Sequence, residues 1–188
     1  AREWLKKHEP QCSAMVEENL DCFQDFLALK QFSYSCKQLY SADGWCLTGD
    51  SGMFLDPLYS PGSDFIGMNN GFITDIISKS LAGQNISVEV KQHERTFRSI
   101  FAGFLPIYED QYPTMANSKV MSSKFIWDIM MYWGGIGPLF FKQKLTDLKF
   151  MELVRPILSE FFILNVSLQK LFRDWAAIDD AQKHAGGF

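Results

Sequence analysis

The chain has 188 residues, of which 47% are hydrophobic and 15% aromatic, and its net charge is −4. This apolar content is sufficient for the packed core of one domain, or of a large part of one. An acidic chain without a basic patch does not match the charge pattern of nucleic-acid-binding proteins. No apolar run reaches the roughly 18 residues of a membrane-spanning helix, so no transmembrane segment is predicted. The four cysteines lack metal-site spacing, which predicts reduced thiols, no metal site and a cytoplasmic location.

Apolar periodicity divides the chain into helices and two strands. The predicted elements, in chain order, are helices over residues 2–8 and 13–28, strands over 29–38 and 45–49, and helices over 64–81, 87–111, 118–133 and 146–181. Asp43-Gly44 favours a tight turn between the strands, and Gly83 is typical of a helix end. Gly134-Gly135 is expected to end the third long helix, and Pro156 to start or kink the fourth. In the fourth helix, the predicted core-facing residues are Leu153, Ile157, Phe161, Leu164, Leu168, Leu171 and Trp175.

The most informative segment covers residues 45–62, where a short apolar strand is followed by Gly49-Asp50, a turn-rich loop and a helix. A carboxylate at a strand end can accept hydrogen bonds from the hydroxyls of a ribityl chain. Gly49 has no Cβ and lets the backbone approach a ligand closely. The positive end of the following helix can face the flavin pyrimidine, where negative charge collects on reduction.

The spacing Gly49-Asp50-x-x-x-Phe54-x-Asp56-Pro57-x-x-Ser60-x-Gly62 resembles the second FAD motif of the flavin-dependent halogenases, the tryptophan-halogenase-like branch of the aromatic-hydroxylase superfamily. Phe32 to Ser35, Asp110 to Pro113, and Lys124-x-x-Trp127-Asp128-x-x-x-Tyr132-Trp133 look like the same group. The resemblance covers roughly residues 1–175. Its Gly-Asp and Asp-Pro core is shared by many FAD oxidoreductases, so it specifies FAD well and halogenation poorly.

The resemblance implies an α/β FAD-binding fold, to which this chain contributes a strand pair and a mainly α-helical C-terminal subdomain. A G-x-G-x-x-G turn for the pyrophosphate is missing, and Gly134 to Pro138 lacks its third glycine. The chain is therefore expected to be a C-terminal portion whose partner is the N-terminal half of the same protein. Residues 1–83 would complete the FAD-binding domain, and residues 84–188 would form a helical substrate-facing subdomain.

The resemblance also assigns site residues, but no catalytic residue. The cofactor residues would be Gly49, Asp50, Asp56, Pro57 and Gly62, and the halide segment Ser60, Pro61 and Gly62. Pro61 has no N–H to offer a halide. Tyr59 stands where halogenases of free tryptophan carry a glutamate, so phenolic or carrier-tethered substrates fit better than an indole.

Aromatic side chains with polar groups could orient an aromatic substrate. The candidates are Tyr108, Tyr112, Trp127, Tyr132 and Trp133, although a core stripe at helical spacing explains each of them too. Lys124 and Asp128 are spaced as a surface or semi-buried ion pair on one helix.

Three functions remain open from the sequence. The first is an FAD-dependent, halogenase-like oxidoreductase that acts on a small aromatic or carrier-tethered substrate through a peroxyflavin, with a separate flavin reductase as a possible partner. The second is an FAD-dependent hydroxylase (monooxygenase) or prenyl-type reductase without halide chemistry. The third is a non-catalytic helical interaction module, whose aromatic faces would be partner surfaces.

Overall fold

The computed structural model describes residues 1–27 and 33–185, with side chains described up to residue 180. The chain forms two compact units, residues 1–32 and residues 33–188. All helices from residue 61 onward belong to the second unit, as does the hydrophobic core.

The first unit contains two short helices, α1 (Arg2–His8) and α2 (Pro10–Glu18). The predicted helix over 13–28 is wrong in both bounds. Pro10 occupies the first turn of α2, where its missing N–H costs nothing, so this proline begins a helix as well as separating it from α1. At the other end, the Asn19 side chain donates a hydrogen bond to the Met15 carbonyl at 2.8 Å, and a short 3₁₀ turn follows.

The second unit opens with a two-stranded antiparallel hairpin. Strand β1 (Tyr40–Ser41) pairs with β2 (Trp45–Cys46), and Gly44 turns the chain with φ of 89°. This confirms the predicted turn. The predicted strand over 45–49 is too long, because Gly49, with φ of 58°, leads into a 3₁₀ turn over Gly49–Ser51.

The predicted strand over 29–38 is wrong in its described part. Residues 28–32 lie outside the described residues. Beyond them, Tyr34 forms a single antiparallel bridge with Phe54 and continues into no strand. The two backbone hydrogen bonds of this bridge, each 3.0 Å long, join the segment to the loop after Asp50 instead of to the hairpin.

Helices make up the rest of the second unit. They are α3 (Pro61–Leu81), α4 (Ser87–Phe104), α5 (Ser118–Met130), α6 (Gly137–Phe141) and α7 (Leu148–Ala185), with a π-helix (Met131–Ile136) between α5 and α6. The predicted helix over 87–111 is too long, because the chain passes into a 3₁₀ turn that contains Pro106. Gly134-Gly135 does not end a helix, since the wider π-helix accommodates both glycines.

The core lies between α3 and α4 and is rich in aromatic rings. Phe65 on α3 makes edge-to-face contacts with Phe97 and Phe104 on α4, with ring centroids 5.7 and 6.0 Å apart. Phe97, Ile100 and Phe104 are at most 2% exposed and form the buried stripe of α4. The second unit is thus mainly helical with one small sheet. The predicted boundary at residue 83, between an FAD-binding part and a substrate-facing helical part, stays a prediction.

The predicted buried stripe of α7 is wrong for most of its residues. Leu153 and Ile157 are 74% and 67% exposed, whereas Met151, Asn165 and Gln169 are at most 5% exposed. The inner face of α7 is partly polar because its side chains make hydrogen bonds to α4 and α5. A prediction from apolar spacing alone therefore took the solvent-exposed face of α7 for the buried one.

Glycines let two phenylalanines of α7 approach their neighbours. A Cβ added to Gly103 on α4 would overlap the Phe162 ring. A Cβ added to Gly135 in the π-helix would lie 2.7 Å from Phe161 Cε1. Close packing against α7 thus depends on glycine at both positions.

Within the described residues, the helices all fall short of the length and apolarity that crossing a membrane requires.

Candidate functional site

Asp50 and Gly62 come together at the start of α3. Asp50 is exposed on its 3₁₀ turn, and its backbone carbonyl accepts a hydrogen bond from the Tyr34 hydroxyl. A Cβ added to Gly62 would lie 3.8 Å from Asp50 Oδ1. The carboxylate thus lies beside the first turn of a helix of 21 residues, where the helix dipole favours negative charge.

Asp56 holds its own loop. Its Oδ1 atom accepts hydrogen bonds from the Leu58 amide and from the Tyr112 hydroxyl, each at 2.8 Å. Tyr112 is 52% exposed and belongs to this loop contact. Pro57 is exposed beside it.

The backbone turns sharply into α3. Tyr59 and Ser60 have φ of 63° and 55°, a left-handed conformation that is uncommon for residues other than glycine. Within the described chain, no side chain caps the helix, and Pro61 at its first turn has no N–H. The first backbone N–H group that this helix N-terminus can offer to an anion is therefore that of Gly62.

Asp50, Gly62 and the start of α3 are the groups of this region that could hold a flavin. An exposed carboxylate can accept hydrogen bonds from ribityl hydroxyls, and Gly62 leaves room beside it. An uncapped helix N-terminus supplies the positive end for an electron-rich ring edge.

A cavity of about 260 Å³ lies next to this turn of α3. Its walls are mostly aromatic side chains, which come from α3, α4, the π-helix and α6: Phe65, Phe104, Tyr132, Trp133, Phe140 and Phe141. Tyr132 and Trp133 both lie in the π-helix, a distortion that occurs frequently at functional sites.

A buried ion pair borders the cavity. Lys124 Nζ lies 2.5 Å from Asp128 Oδ2, and the two side chains are 0% and 1% exposed. The predicted ion pair is therefore confirmed, but its predicted surface or semi-buried position is wrong. Lys124 also donates to the Ile107 carbonyl at 2.9 Å, and Gln169 Nε2 donates to Asp128 Oδ1 at 2.7 Å. These bonds offset the cost of removing two charges from water.

Burial shifts the pKa of both partners toward their neutral forms. Desolvation lowers the pKa of Lys124 and raises the pKa of Asp128, while the attraction between them opposes each shift. Of the pair, Asp128 lines the cavity.

Tyrosine hydroxyls add polar groups to the cavity. Tyr132 Oη lies 3.4 Å from Tyr108 Oη, which places Tyr108 behind Tyr132, and burial raises the pKa of Tyr132 to about 12. The hydroxyl of Tyr59 is also buried, and burial together with the neighbouring Asp128 carboxylate raises its pKa. Both phenols are therefore protonated at neutral pH.

The five predicted substrate residues have different environments. Tyr132 and Trp133 line the cavity, and Tyr108 supports Tyr132. Trp127 Nε1 instead donates to Asn165 Oδ1 at 2.8 Å, and its ring packs against Phe161. Trp127 thus stabilises the contact between α5 and α7.

Two cavity carboxylates, Asp64 and Asp128, were missed as site residues. Asp128 precedes Tyr132 by one helical turn, a spacing that places both on one face of a helix. Asp64 directly precedes the buried Phe65 in the first turn of α3. Partial burial raises the pKa of Asp64, and its charge contributes to the raised pKa of Tyr132.

The described residues contain no group of three or more His, Cys, Asp or Glu side chains that could hold a metal ion.

Comparison with curated proteins finds a flavin-dependent halogenase, chlA, of Dictyostelium discoideum, with 22% identity over 118 residues. The match covers 62% of this chain and 20% of that halogenase. No family model matches the chain, and no solved structure matches it. The chain therefore has a distant similarity to one flavin-dependent halogenase over a small part of that protein's length.

Proposed function

We propose that this chain forms part of an FAD-dependent oxidoreductase, in which residues 49–62 hold the flavin and the neighbouring cavity takes an aromatic substrate. The observation that carries the proposal is the position of α3. Its first two residues belong to the motif loop, and Asp64, Phe65 and Met68 line the cavity. At 1.5 Å of rise per residue, the loop and the cavity begin within about one helical turn of each other.

The motif residues would bind and orient the flavin. Asp50 would accept hydrogen bonds from ribityl hydroxyls, with Gly49 and Gly62 giving the backbone room for close approach. The uncapped start of α3 would face the pyrimidine ring. Asp56 and Pro57 would act indirectly, because Asp56 fixes the loop through Leu58 and Tyr112. The flavin would supply the redox chemistry.

The cavity residues would orient the substrate. The aromatic walls would hold a planar ring. Protonated Tyr132 would donate a hydrogen bond to a substrate oxygen at neutral pH. The pair Lys124–Asp128 would position this wall, because it joins α5 to the Ile107 carbonyl and to Gln169 on α7.

The similarity to the halogenase suggests a more specific reaction, halogenation, in which Ser60, Pro61 and Gly62 would form the halide segment. One observation favours the second candidate, a hydroxylase or reductase without halide. Pro61 is buried and has no N–H, so the middle residue of this segment has no amide to donate to a halide.

Flavin content and halide dependence test the two levels of the proposal separately. The protein is purified without added cofactor, and released flavin is measured against protein. About one FAD per chain supports the flavin assignment, whereas a flavin-free protein that takes up no added FAD contradicts it and favours the interaction module.

With flavin bound, products from phenolic substrates are compared in chloride, bromide and halide-free buffer. Halogenated products support the halogenase, and hydroxylated or reduced products in all three buffers support the alternative.

A further inference from the structure

The solvent side of α5, the π-helix and α6 is apolar over a long stretch. Five large apolar side chains of this stretch are between 48% and 66% exposed and define what we call the α5–α6 face: Phe125, Ile126, Met130, Trp133 and Phe141. From residue 125 to residue 141 the one charged residue is Asp128, which is buried in its pair with Lys124. The exposed surface of this stretch therefore carries no charged side chain.

The side chains of the α5–α6 face form one patch. Ile126 and Met130 are four residues apart on α5, a spacing that places them on the same side of the helix. The rings of Trp133 and Phe141 stack with centroids 6.1 Å apart, which joins the end of α5 to α6. Together the five side chains expose on the order of several hundred Å² of apolar surface, the size at which a patch marks a protein or membrane interaction site.

Lysines lie at both ends of the α5–α6 face. Residues 118–150 contain five lysines, two aspartates and no other charged residue, a net charge of +3 in a chain of net charge −4. Lys119 precedes Ile126 by two helical turns and so lies on the same side of α5. Lys142 directly follows Phe141 and is exposed. Neither Lys119 nor Lys142 forms a salt bridge with another described residue.

The outer face of α7 differs in charge, although it too exposes apolar side chains. Leu153 and Ile157 are exposed there, but Glu160, Lys170 and Asp174 are exposed on the same helix. Two of these three charges are negative and would be repelled by an anionic surface. The α5–α6 face, with lysines alone at its ends, is complementary to such a surface.

An uncharged apolar helix face with lysines beside it is typical of helices that lie in the membrane interface. Tryptophan is enriched at the boundary between lipid headgroups and acyl chains, because its ring is apolar and its N–H is polar. Lysines near the surface of a bilayer are attracted by anionic headgroups. The α5–α6 face combines all three features.

We propose that the α5–α6 face docks on the surface of an anionic phospholipid bilayer, with Trp133 and Phe141 inserted between the lipids and Lys119 and Lys142 at the headgroup phosphates. Trp133 and Phe141 also line the cavity, so the docked bilayer would lie beside the cavity. Docking requires neither flavin nor substrate and therefore goes beyond the function proposed above.

Co-sedimentation of the full chain with vesicles tests this docking. One vesicle is phosphatidylcholine alone, and the other contains about one third phosphatidylserine; we expect binding to the second to be at least about tenfold tighter. Ile126→Ser and Ile157→Ser make the same change at helical positions that are 63% and 67% exposed. Ile126→Ser should weaken binding by about fivefold or more, and Ile157→Ser should leave it unchanged.

A charge reversal tests the lysines separately. Lys142→Glu should weaken binding to the anionic vesicles by at least about fivefold and leave binding to phosphatidylcholine unchanged. Lys91→Glu, an exposed change on α4, alters the net charge equally and should have no comparable effect. Circular dichroism melts of all four variants verify that they fold.

Failure to bind either vesicle overturns the docking, as does equal weakening by Ile126→Ser and Ile157→Ser or by the two lysine variants. Self-association in size-exclusion chromatography that Ile126→Ser abolishes would assign the face to a second copy of the chain and overturn the docking too. Flavin content is measured on the same samples. A protein that retains FAD but ignores vesicles keeps the proposed function and loses only the bilayer.

Discussion

The motif loop, residues 49–62, and the cavity beside it are built from the same first turn of α3 in opposite ways. The key carboxylate of the loop, Asp50, is exposed. The cavity is bordered instead by buried polar side chains, such as Gln169 and Asp128, which are at most 1% exposed and hydrogen-bonded to each other. Binding chemistry and structural stability are therefore separated in this molecule. Changes in the loop should alter ligand binding, and changes around the cavity should alter folding as well.

The buried ion pair provides the largest expected contrast. Lys124→Ala leaves Asp128 buried without its counter-charge and should lower the free energy of unfolding by about 3–5 kcal/mol. Asp50→Ala, at an exposed position, should change it by less than about 0.5 kcal/mol. Urea unfolding followed by circular dichroism measures both.

A double variant sharpens this contrast. Lys124→Met with Asp128→Leu removes both charges and keeps most of the volume, so it should be more stable than Lys124→Ala. Equal losses in Lys124→Ala and Asp50→Ala would show that the pair is not buried as described.

Two adjacent glycines of the π-helix, Gly134 and Gly135, allow the same substitution to be compared in two different environments. Gly135→Ala places a methyl group 2.7 Å from Phe161 and should cost about 1–3 kcal/mol. Gly134→Ala meets no atom within 4 Å and should be neutral or stabilising by up to about 1 kcal/mol. Thermal melts of the two variants compare them. The same Tm for both would contradict the close packing of the π-helix against α7.

Stability should depend on pH because of a buried histidine that contacts the middle of α3. His93 on α4 is fully buried, and its Nε2 atom lies 2.7 Å from Asp75 Oδ2 on α3. Burial lowers the pKa of His93, although Asp75 opposes the shift, so the unfolded chain binds the proton more readily than the folded one. Stability should therefore be fully present above about pH 6.5, the unfolded value, and fall as the pH drops below it.

Melting temperatures at pH 7.5 and 5.5 measure this dependence. We expect the difference between the two temperatures to shrink in His93→Gln and to persist in the exposed control His8→Gln. A difference that survives His93→Gln unchanged would assign the acid sensitivity to other groups.

The smallest effect on stability is expected at the exposed hydrogen bond between Tyr112 and the motif loop. Tyr112→Phe removes the 2.8 Å hydrogen bond to Asp56 at an exposed position, which should cost at most about 1 kcal/mol. Because the bond holds the motif loop, the same variant should release bound flavin faster. A stopped-flow measurement of flavin dissociation checks this, with Tyr108→Phe, whose hydroxyl lies against that of Tyr132, for comparison. Unchanged release would limit Tyr112 to a surface contact.

The sequence predicted local features of the fold better than distant ones. The Asp43-Gly44 turn and the end of α3 near Gly83 were confirmed, since each depends on neighbouring residues. The buried face of α7 was predicted wrongly because Asn165 and Gln169 are buried by hydrogen bonds to other helices. Polar residues of this kind are invisible to an apolar pattern.

The candidate site follows the same rule. The spacing from Gly49 to Gly62 indicated a flavin motif, and Asp50 and Gly62 do lie together. Burial of Lys124 and Asp128 could not be read from their spacing, because an exposed pair has the same sequence pattern.

The most direct test of the account is the flavin content of the protein with Asp50→Ala, beside an Asp43→Ala control. Both carboxylates are exposed and lie on turns of the same unit, but only Asp50 is next to Gly62 at the start of α3. We expect Asp50→Ala to lose most of its bound FAD during purification, while Asp43→Ala and the unchanged protein retain it. Equal flavin content in all three proteins would contradict the assignment of the motif loop as the flavin site.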